Sequence, residues 1–325
     1  MEIWDVYDRY RCKTGRIHER GTPMKEGDYH IVVHIWIVND KGEVLIQKRQ
    51  PWKVGWPNMW DCAAAGSAIK GDDSISAAIR ETKEEIGIDL DISSAEHLFT
   101  VKFSCGFDDI WLVRQNINIS DLKLQYEEVA DAKWVRFEDI EEMIRKKEFI
   151  DYDYFGKLIQ LISSNISLIK AKKYEAEELL AIQKKVFMPI YKKYQDHEIS
   201  PVMQTLDKFL KRFDIGDFYK IFYDGNLVGS VFVYEKKPGL MRFHIINILE
   251  EYQNLGIAQR VMERLELMYP QEDEWELDTI KAEKRNCHLY EKMGYVKLGE
   301  EKKINDKLTI ISYRKNSNIS RIKSI

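Results

Sequence analysis

The chain has 325 residues, more than one hydrophobic core serves well, so two domains are expected. With 44% hydrophobic and 32% charged residues it reads as a soluble globular protein, and a net charge of −4 argues against a general polyanion binder. No apolar run is long enough to span a bilayer, the first residues lack a signal-peptide pattern, and Cys12, Cys62, Cys105 and Cys287 show no paired spacing, so a reduced, cytoplasmic protein acting on small molecules is expected, with neither nucleic acid nor membrane as partner.

Taken in chain order, 30–38 (HIVVHIWIV) and 43–48 (EVLIQK) are predicted strands joined by the turn Asn39-Asp40-Lys41-Gly42. A loop with Trp52, Trp56 and Trp60 precedes a helix over 74–87, with Ser74 as N-cap and Gly87 as C-cap. FTVKFSCGFDDIWLVRQNINI gives further strand-like runs, and helical patterns occupy about 137–147 and 152–162. SSNIS at 163–167 is the polar break between two half-chains, which sets domains at 1–163 and 166–325. Beyond it, SLIKA reads as a strand, and helices are predicted near 174–187 and 203–213. FYKIFYDGNLVGSVFVYE is a predicted hairpin turning at Asp224-Gly225-Asn226. LMRFHIINIL is a long strand running into EEYQNLGIAQ and a helix; WELDTI, a helix near 286–293, two strands and a frayed basic tail, KNSNISRIKSI, complete the order. Both halves mix strands and helices, so the fold class is a two-domain α+β or α/β chain.

RETKEEIGI, residues 80–88, crowds charge onto two turns of the 74–87 helix. Ile75, Ala78, Ile79, Thr82 and Ile86 form one core-facing stripe, and Glu81, Glu84 and Glu85 share the neighbouring face. Arg80 can pair with Glu84 one turn on, but one cation does not balance three carboxylates. A hard divalent cation, Mg²⁺ or Mn²⁺, would balance them; the bland alternative is a solvated acidic face.

The surrounding GSAIKGDDSISAAIRETKEEIGI resembles the Nudix box, Gly, five residues, Glu, seven residues, Arg-Glu-aliphatic-x-Glu-Glu-x-Gly-aliphatic. Gly66, Arg80, Glu81, Glu84, Glu85, Gly87 and Ile88 match, while Asp72 stands for the first glutamate and Thr82 for an aliphatic residue. The resemblance implies a Nudix fold, a mixed sheet between helices, over about residues 1–160. It implies water attack on the pyrophosphate of a nucleoside diphosphate-linked substrate, with Glu84 and Glu85 as metal ligands and Glu81 as ligand or orienting base. The Ala65 carbonyl would add a ligand, and Arg80 and Asp72 would support the carboxylates from behind. Glu127 and Glu128 are candidate bases, Lys48 and Arg49 candidate phosphate holders, and the loop tryptophans candidates to stack a base.

WDVYD and HIVVHIWIVNDKGEVLIQKR are similar to the isopentenyl-diphosphate isomerase arm of the same superfamily. That resemblance implies an alternative isomerase chemistry built on Cys-Gly-His, with His30 as a possible metal ligand. Ala65, Gly66 and Ser67 hold the matching positions and Cys62 falls three residues early, so hydrolase is the expectation.

In the second half, YQNLGIAQR places Gln253, Asn254, Leu255, Gly256, Ile257 and Ala258 between a strand and a helix. The stretch resembles the pyrophosphate loop of the GNAT acetyltransferases, where helix N–H groups receive phosphate and small residues permit close approach. RNCHLYEKMGYVKLG resembles that family's later segment. Together they imply a GNAT fold, a twisted mixed sheet with flanking helices. They also imply acetyl-CoA as cofactor, contact with it through Asn286, and Tyr290 as the acid for the departing thiolate. Glu250, Glu251 and His244 are candidate bases for an acceptor amine, and Arg260 could support phosphate or only decorate its helix. The chain therefore reads as a bifunctional enzyme, a metal-dependent hydrolase joined to an N-acetyltransferase. The alternative for the second half is a CoA-binding sensor without catalysis.

Overall fold

The computed structural model describes residues 2–317, and the tail beyond Ser317 lies outside the described residues. The chain divides into two compact units, Met1–Ser164 and Asn165–Ile325. Among the described residues no helix is long and apolar enough to cross a membrane.

The first unit opens with an antiparallel ribbon of β1 (Ile3–Tyr7) and β2 (Lys13–Glu19). The strands of its main sheet are β3 (His30–Val38), β4 (Val44–Arg49), β5 (Trp60–Asp61) and β6 (Ala64–Ser67), then β7 (Ala95–Phe103), β8 (Gly106–Arg114) and β9 (Val129–Val135). The helices are α1 (Ser74–Ile86), α2 (Phe137–Arg145) and α3 (Phe155–Ile162). The sheet runs β5-β4-β3-β8-β7, with β6 added to β3 and β9 to β4.

β3 and β8 pair in parallel over their whole length. β3 and β4 pair only at Ile37↔Leu45 and Val38↔Val44, after which β3 turns to β6 and β4 to β5 and β9. The sheet therefore forks. Alternation decides its two faces: Ile31, Val33, Ile35 and Ile37 pack with Ala77, Ala78 and Ile86 of α1. His34 and Trp36 point the other way, onto Tyr152, Tyr154 and Phe155.

The second unit holds β10 (Ile166–Lys170), α4 (Ala176–Tyr194), α5 (Leu206–Leu210), β11 (Asp217–Tyr223), β12 (Asn226–Lys237) and β13 (Leu240–Ile248). It continues with α6 (Ile257–Met268), β14 (Glu274–Ile280), α7 (Lys284–Lys292), β15 (Val296–Lys303) and β16 (Thr309–Asn316). The sheet order is β10-β11-β12-β13-β14-β16-β15, antiparallel except for β13–β14. One face packs on α6 and α7 through Ile257, Val261, Leu265 and Tyr290. The other packs on α4 and α5 through Leu179, Leu180, Phe209, Phe218, Phe232 and Ile245.

Local chemistry explains where the elements differ from expectation. Asp73, not Ser74, caps α1: its carboxylate accepts from the Ser76 N–H at 2.9 Å, while the Asp73 N–H donates to Ser76 Oγ at 2.8 Å. Ser74 is the first helical residue, and its Oγ accepts from Trp111 Nε1. Gly87 ends the helix at φ 76°, a left-handed cap that suits glycine. α4 runs through Pro189 to Tyr194, past the predicted end at 187. The predicted helix 203–213 breaks into short turns around α5, followed by a 3-10 turn at Lys211–Asp214. The β1–β2 ribbon escaped the pattern because its strands are short and β2 is charged and largely exposed.

Candidate active sites

In the first unit the site is organised around Arg80. Its Nε donates to Asp72 at 3.0 Å, its Nη1 to Glu81 at 2.9 Å and Glu84 at 3.0 Å, and its Nη2 to the Ser67 carbonyl at 2.9 Å. Asp72, though shorter than glutamate, still reaches the guanidinium. Thr82 fits the core stripe because its hydroxyl bonds the Ala78 carbonyl at 2.7 Å, leaving no orphaned polar atom.

The three glutamates do not form a solvated face. Glu84 has a side chain 53% exposed, but that of Glu81 is 13% exposed and Glu85 is buried. Glu85 accepts from Gln47 Nε2 at 2.7 Å and from the Ala65 N–H at 3.1 Å. Burial, reinforced by neighbouring Glu81, pushes the Glu85 carboxyl up to about 8. Burial likewise lifts Glu81 to about 7 against the pull of Arg80. Gly66 lets Glu81 lie close: a Cβ at that position would stand 2.2 Å from the Glu81 carboxyl carbon and displace that side chain. Buried Glu85, half-buried Glu81 and exposed Glu84 are hard oxygen donors of the kind a divalent cation takes, and with the Ala65 carbonyl they are the groups able to hold it. Among the described residues no three acidic, histidine or cysteine side chains converge on one point; Arg80 organises this face instead.

The loop before β9 is tied to the end of α1, since the Gln125 N–H donates to the Glu85 carbonyl at 2.9 Å and Lys123 to Ile86 at 2.9 Å. It carries Glu127, which is exposed, and Glu128, which is ion-paired with Lys53. Arg49 is held by the Gly55 carbonyl at 3.1 Å and by buried Asp61 at 3.4 Å, and Lys48 lies 5.9 Å from the Trp60 ring. Trp52 leans on Tyr126 across the loop at 5.4 Å, both rings open to solvent. Cys62 is buried, donates to the Ala64 carbonyl at 3.2 Å and has its thiol pushed up by burial, the opposite of an activated thiolate. His30 is stacked on Trp4 at 4.2 Å.

Sequence reasoning missed Gln47, which arrives from a strand 38 residues away to orient Glu85. It also missed the buried polar group around His34, whose Nδ1 lies 2.5 Å from Tyr154 Oη and 3.4 Å from Asp108.

In the second unit, β13 and β14 pair only from Leu240↔Glu274 to Phe243↔Leu277 and then part. Phe232 pairs with Ile245 and Val233 with Phe243, so His244 is the extra residue of a bulge at the parting point. Its ring reaches solvent, yet protein crowds it, and that crowding, with Arg212 and Arg242 nearby, pushes its pKa down to about 4. Beyond β13, Asn254 at φ 68° and Gly256 at φ 73° lead the chain into α6. The first helical bond runs from the Arg260 N–H to the Gly256 carbonyl, so the N–H groups of Ile257, Ala258 and Gln259 have no helical acceptor.

Gln253 spends its amide on the Ile248 carbonyl at 2.9 Å, and Leu255 is half-exposed. Arg260 braces the turn through the Leu255 carbonyl and Asn165. Glu250 is exposed, and Glu251 lies 3.7 Å from Lys185. Asn286 is half-buried in the first turn of α7. Tyr290 lies in the core between α7 and the sheet, where burial raises its hydroxyl to about 12 and a hydrogen bond with Thr279 partly offsets the rise.

A family model for the NUDIX domain matches residues 28–155, and one for the acetyltransferase (GNAT) domain matches residues 168–317. An uncharacterized Nudix hydrolase of Listeria monocytogenes is 47% identical over 161 residues, spanning 50% of this chain and 95% of that protein. A solved Deinococcus radiodurans structure aligns at 20% identity with a TM-score of 0.42, over 49% of this chain and 99% of that one. A Thermus thermophilus acetyltransferase structure aligns at 12% identity with a TM-score of 0.38, over 47% of this chain and 97% of that one.

Proposed function

The chain belongs to the Nudix hydrolase family through its first unit and carries a GNAT acetyltransferase domain in its second, and from that premise we propose two finer activities. The first is metal-dependent cleavage of a pyrophosphate bond in a nucleoside diphosphate-linked or related substrate. The second is acetyl transfer from acetyl-CoA to a small-molecule amine, both in a cytoplasmic setting.

The observation that carries the hydrolase reading is the enclosure of two carboxylates, buried Glu85 and half-buried Glu81, the latter against Gly66, with Arg80 bridging Asp72, Glu81 and Glu84. A cation bound there would neutralise phosphate oxygens and acidify water. Glu84 and Glu85 are assigned as its direct ligands, Glu81 as ligand or orienting base, and the Ala65 carbonyl as a further donor. Gln47 and the Ala65 N–H both bond the same Glu85 oxygen, so the other would serve the cation. Lys48 and Arg49 hold substrate phosphate, and Glu127 or Glu128 activates water.

For acetyl transfer, the N–H groups opening α6 receive the coenzyme's pyrophosphate. His244, a weak base because its pKa is held down to about 4, relays one proton from the acceptor's ammonium toward solvent, and the amine nitrogen attacks the thioester carbonyl. As the C–N bond forms and the C–S bond breaks, Tyr290 gives its proton to the thiolate and regains one from the amide nitrogen. The proton on His244 goes to solvent. Among the acidic candidates, Glu250 stands at the start of the turn after β13, whereas His244 lies at the fork itself, which favours the histidine.

The test is hydrolysis of a panel of nucleotide-linked pyrophosphates with Mg²⁺, in wild type and Glu84→Gln, beside thiol release from acetyl-CoA with a panel of amines. Metal-dependent cleavage lost in the variant is the expected result. No cleavage of any compound removes the hydrolase reading, and no amine-dependent thiol release removes the transferase reading.

A further inference from the structure

Among the described residues, the second unit contains an arginine without a matching charge. Arg212 lies in the 3-10 turn after α5, and its Nη1 is buried with no hydrogen-bond partner among the described residues. Among the described residues no carboxylate pairs with it, and burial weighs against its charge. Its neighbours behave otherwise, for Arg242 bonds both Glu276 and Asp278, and Arg314 bonds Glu276. A buried donor left unmatched costs about 1–3 kcal/mol, and more when it is charged. A guanidinium cannot escape that cost by losing its proton.

Position gives the unmatched charge a purpose. Arg212 Cζ lies 5.8 Å from the Phe232 ring, and His244 meets the same ring edge-on at 5.9 Å. Half-buried Tyr234 lies beside them, 6.0 Å from His244. Phe232 itself is buried, so a half-buried cation and an exposed imidazole gather at the rim of one core ring, near the point where β13 and β14 part. The coenzyme's phosphates do not account for Arg212, because Phe232 belongs to the sheet face that packs on α4 and α5, opposite α6.

We propose that the rim formed by Arg212, Tyr234 and His244 is the acceptor end of the transfer site and that the acceptor is an amine carrying an oxyanion, a carboxylate or a phosphate, which Arg212 binds while His244 faces the nitrogen. The proposal rests on the acetyl-transfer reading for its chemistry, but binding at Arg212 is testable without turnover.

The experiment is calorimetric titration of the full chain, with CoA present, using paired ligands: amino acids beside their carboxamides, and phosphoethanolamine beside ethanolamine. Wild type, Arg212→Gln and Arg212→Lys are compared after their melting curves are shown to match. At least one anionic member is expected to bind ten times more tightly than its neutral twin, or better. Arg212→Gln abolishes that difference and Arg212→Lys keeps part of it. The anion that shows the difference separates carboxylate from phosphate.

Equal binding of the twins, an anionic preference unchanged in Arg212→Gln, or binding of no anionic amine overturns the proposal. Running the same ligands with acetyl-CoA separates the two readings. Anion-selective binding without thiol release leaves the Arg212 site standing and removes the transfer chemistry.

Discussion

Helices α1 and α6 present their chemistry in opposite ways. α1 offers side chains: four charged residues, two of them nearly out of solvent, locked by one guanidinium and by a glutamine from β4. α6 offers backbone: three N–H groups and two left-handed residues, with the surrounding side chains turned to other tasks. A side-chain site depends on the identity of each residue. A backbone site depends on the path of the chain, so most of its residues are replaceable.

The first unit commits most heavily to buried charge at Asp109, which is fully buried against Arg11, Thr100 and His97. Burial alone would raise its pKa, but Arg11 and then His97 outweigh it and hold the carboxyl far below its ordinary 3.8. A depressed carboxylate stabilises the fold above its unfolded value, and that contribution drains away as the pH falls below about 4. Asp109→Asn, which removes the charge that Arg11 pairs with, is expected to cost about 3–5 kcal/mol and to flatten the acid limb of the stability profile. Tryptophan fluorescence reads this unit selectively, since seven of the eight tryptophans precede residue 165. An unchanged acid limb would break the first half of the comparison.

Next in size is the site itself. Glu85→Gln keeps the shape and removes the charge, and it is expected to lower hydrolysis by about a hundredfold or more. Arg80→Gln, acting only through the carboxylates it holds, is expected to cost roughly 10–100-fold. Thiol release from acetyl-CoA, measured in the same preparations, should not change.

The backbone site answers more weakly. Gly256→Ala meets no steric neighbour but must hold φ near 73°, a strain of roughly 1–2 kcal/mol, so KM for acetyl-CoA is expected to rise about five- to thirtyfold. Leu255→Ala, at a half-exposed position, is expected to change KM by about twofold or less. A large effect at Leu255 would show that its side chain, and not only the path of the chain, builds the loop.

The same contrast governs what the sequence made legible. Glu81, Glu84, Glu85 and Arg80 announce themselves because one helix sets their spacing, and Gly87 marks its end. The 253–258 turn was visible through its small residues at a strand-to-helix junction. Gln47 was not, because it meets Glu85 only through a tertiary contact between β4 and α1 that no local pattern encodes. Arg212 was hidden for a related reason: it looked like one more polar residue on a predicted helix over 203–213, and only the break into short turns separates it from that pattern. The bulge that isolates His244 arises from the register of β12 against β13, so a strand that reads as uniform contains one residue that is not.

The parting of β13 from β14 has a thermodynamic side. Beyond Phe243 and Leu277 the facing edges of the two strands run on without a strand between them, although each stays paired on its outer side. A ligand whose amide groups lie along such an edge adds hydrogen bonds to the native state alone. Linkage then ties the fold to cellular supply: at a ligand concentration one hundred times Kd, the second unit gains about 2.7 kcal/mol. Under the proposed acetyl transfer, its melting temperature would gauge how much coenzyme surrounds it.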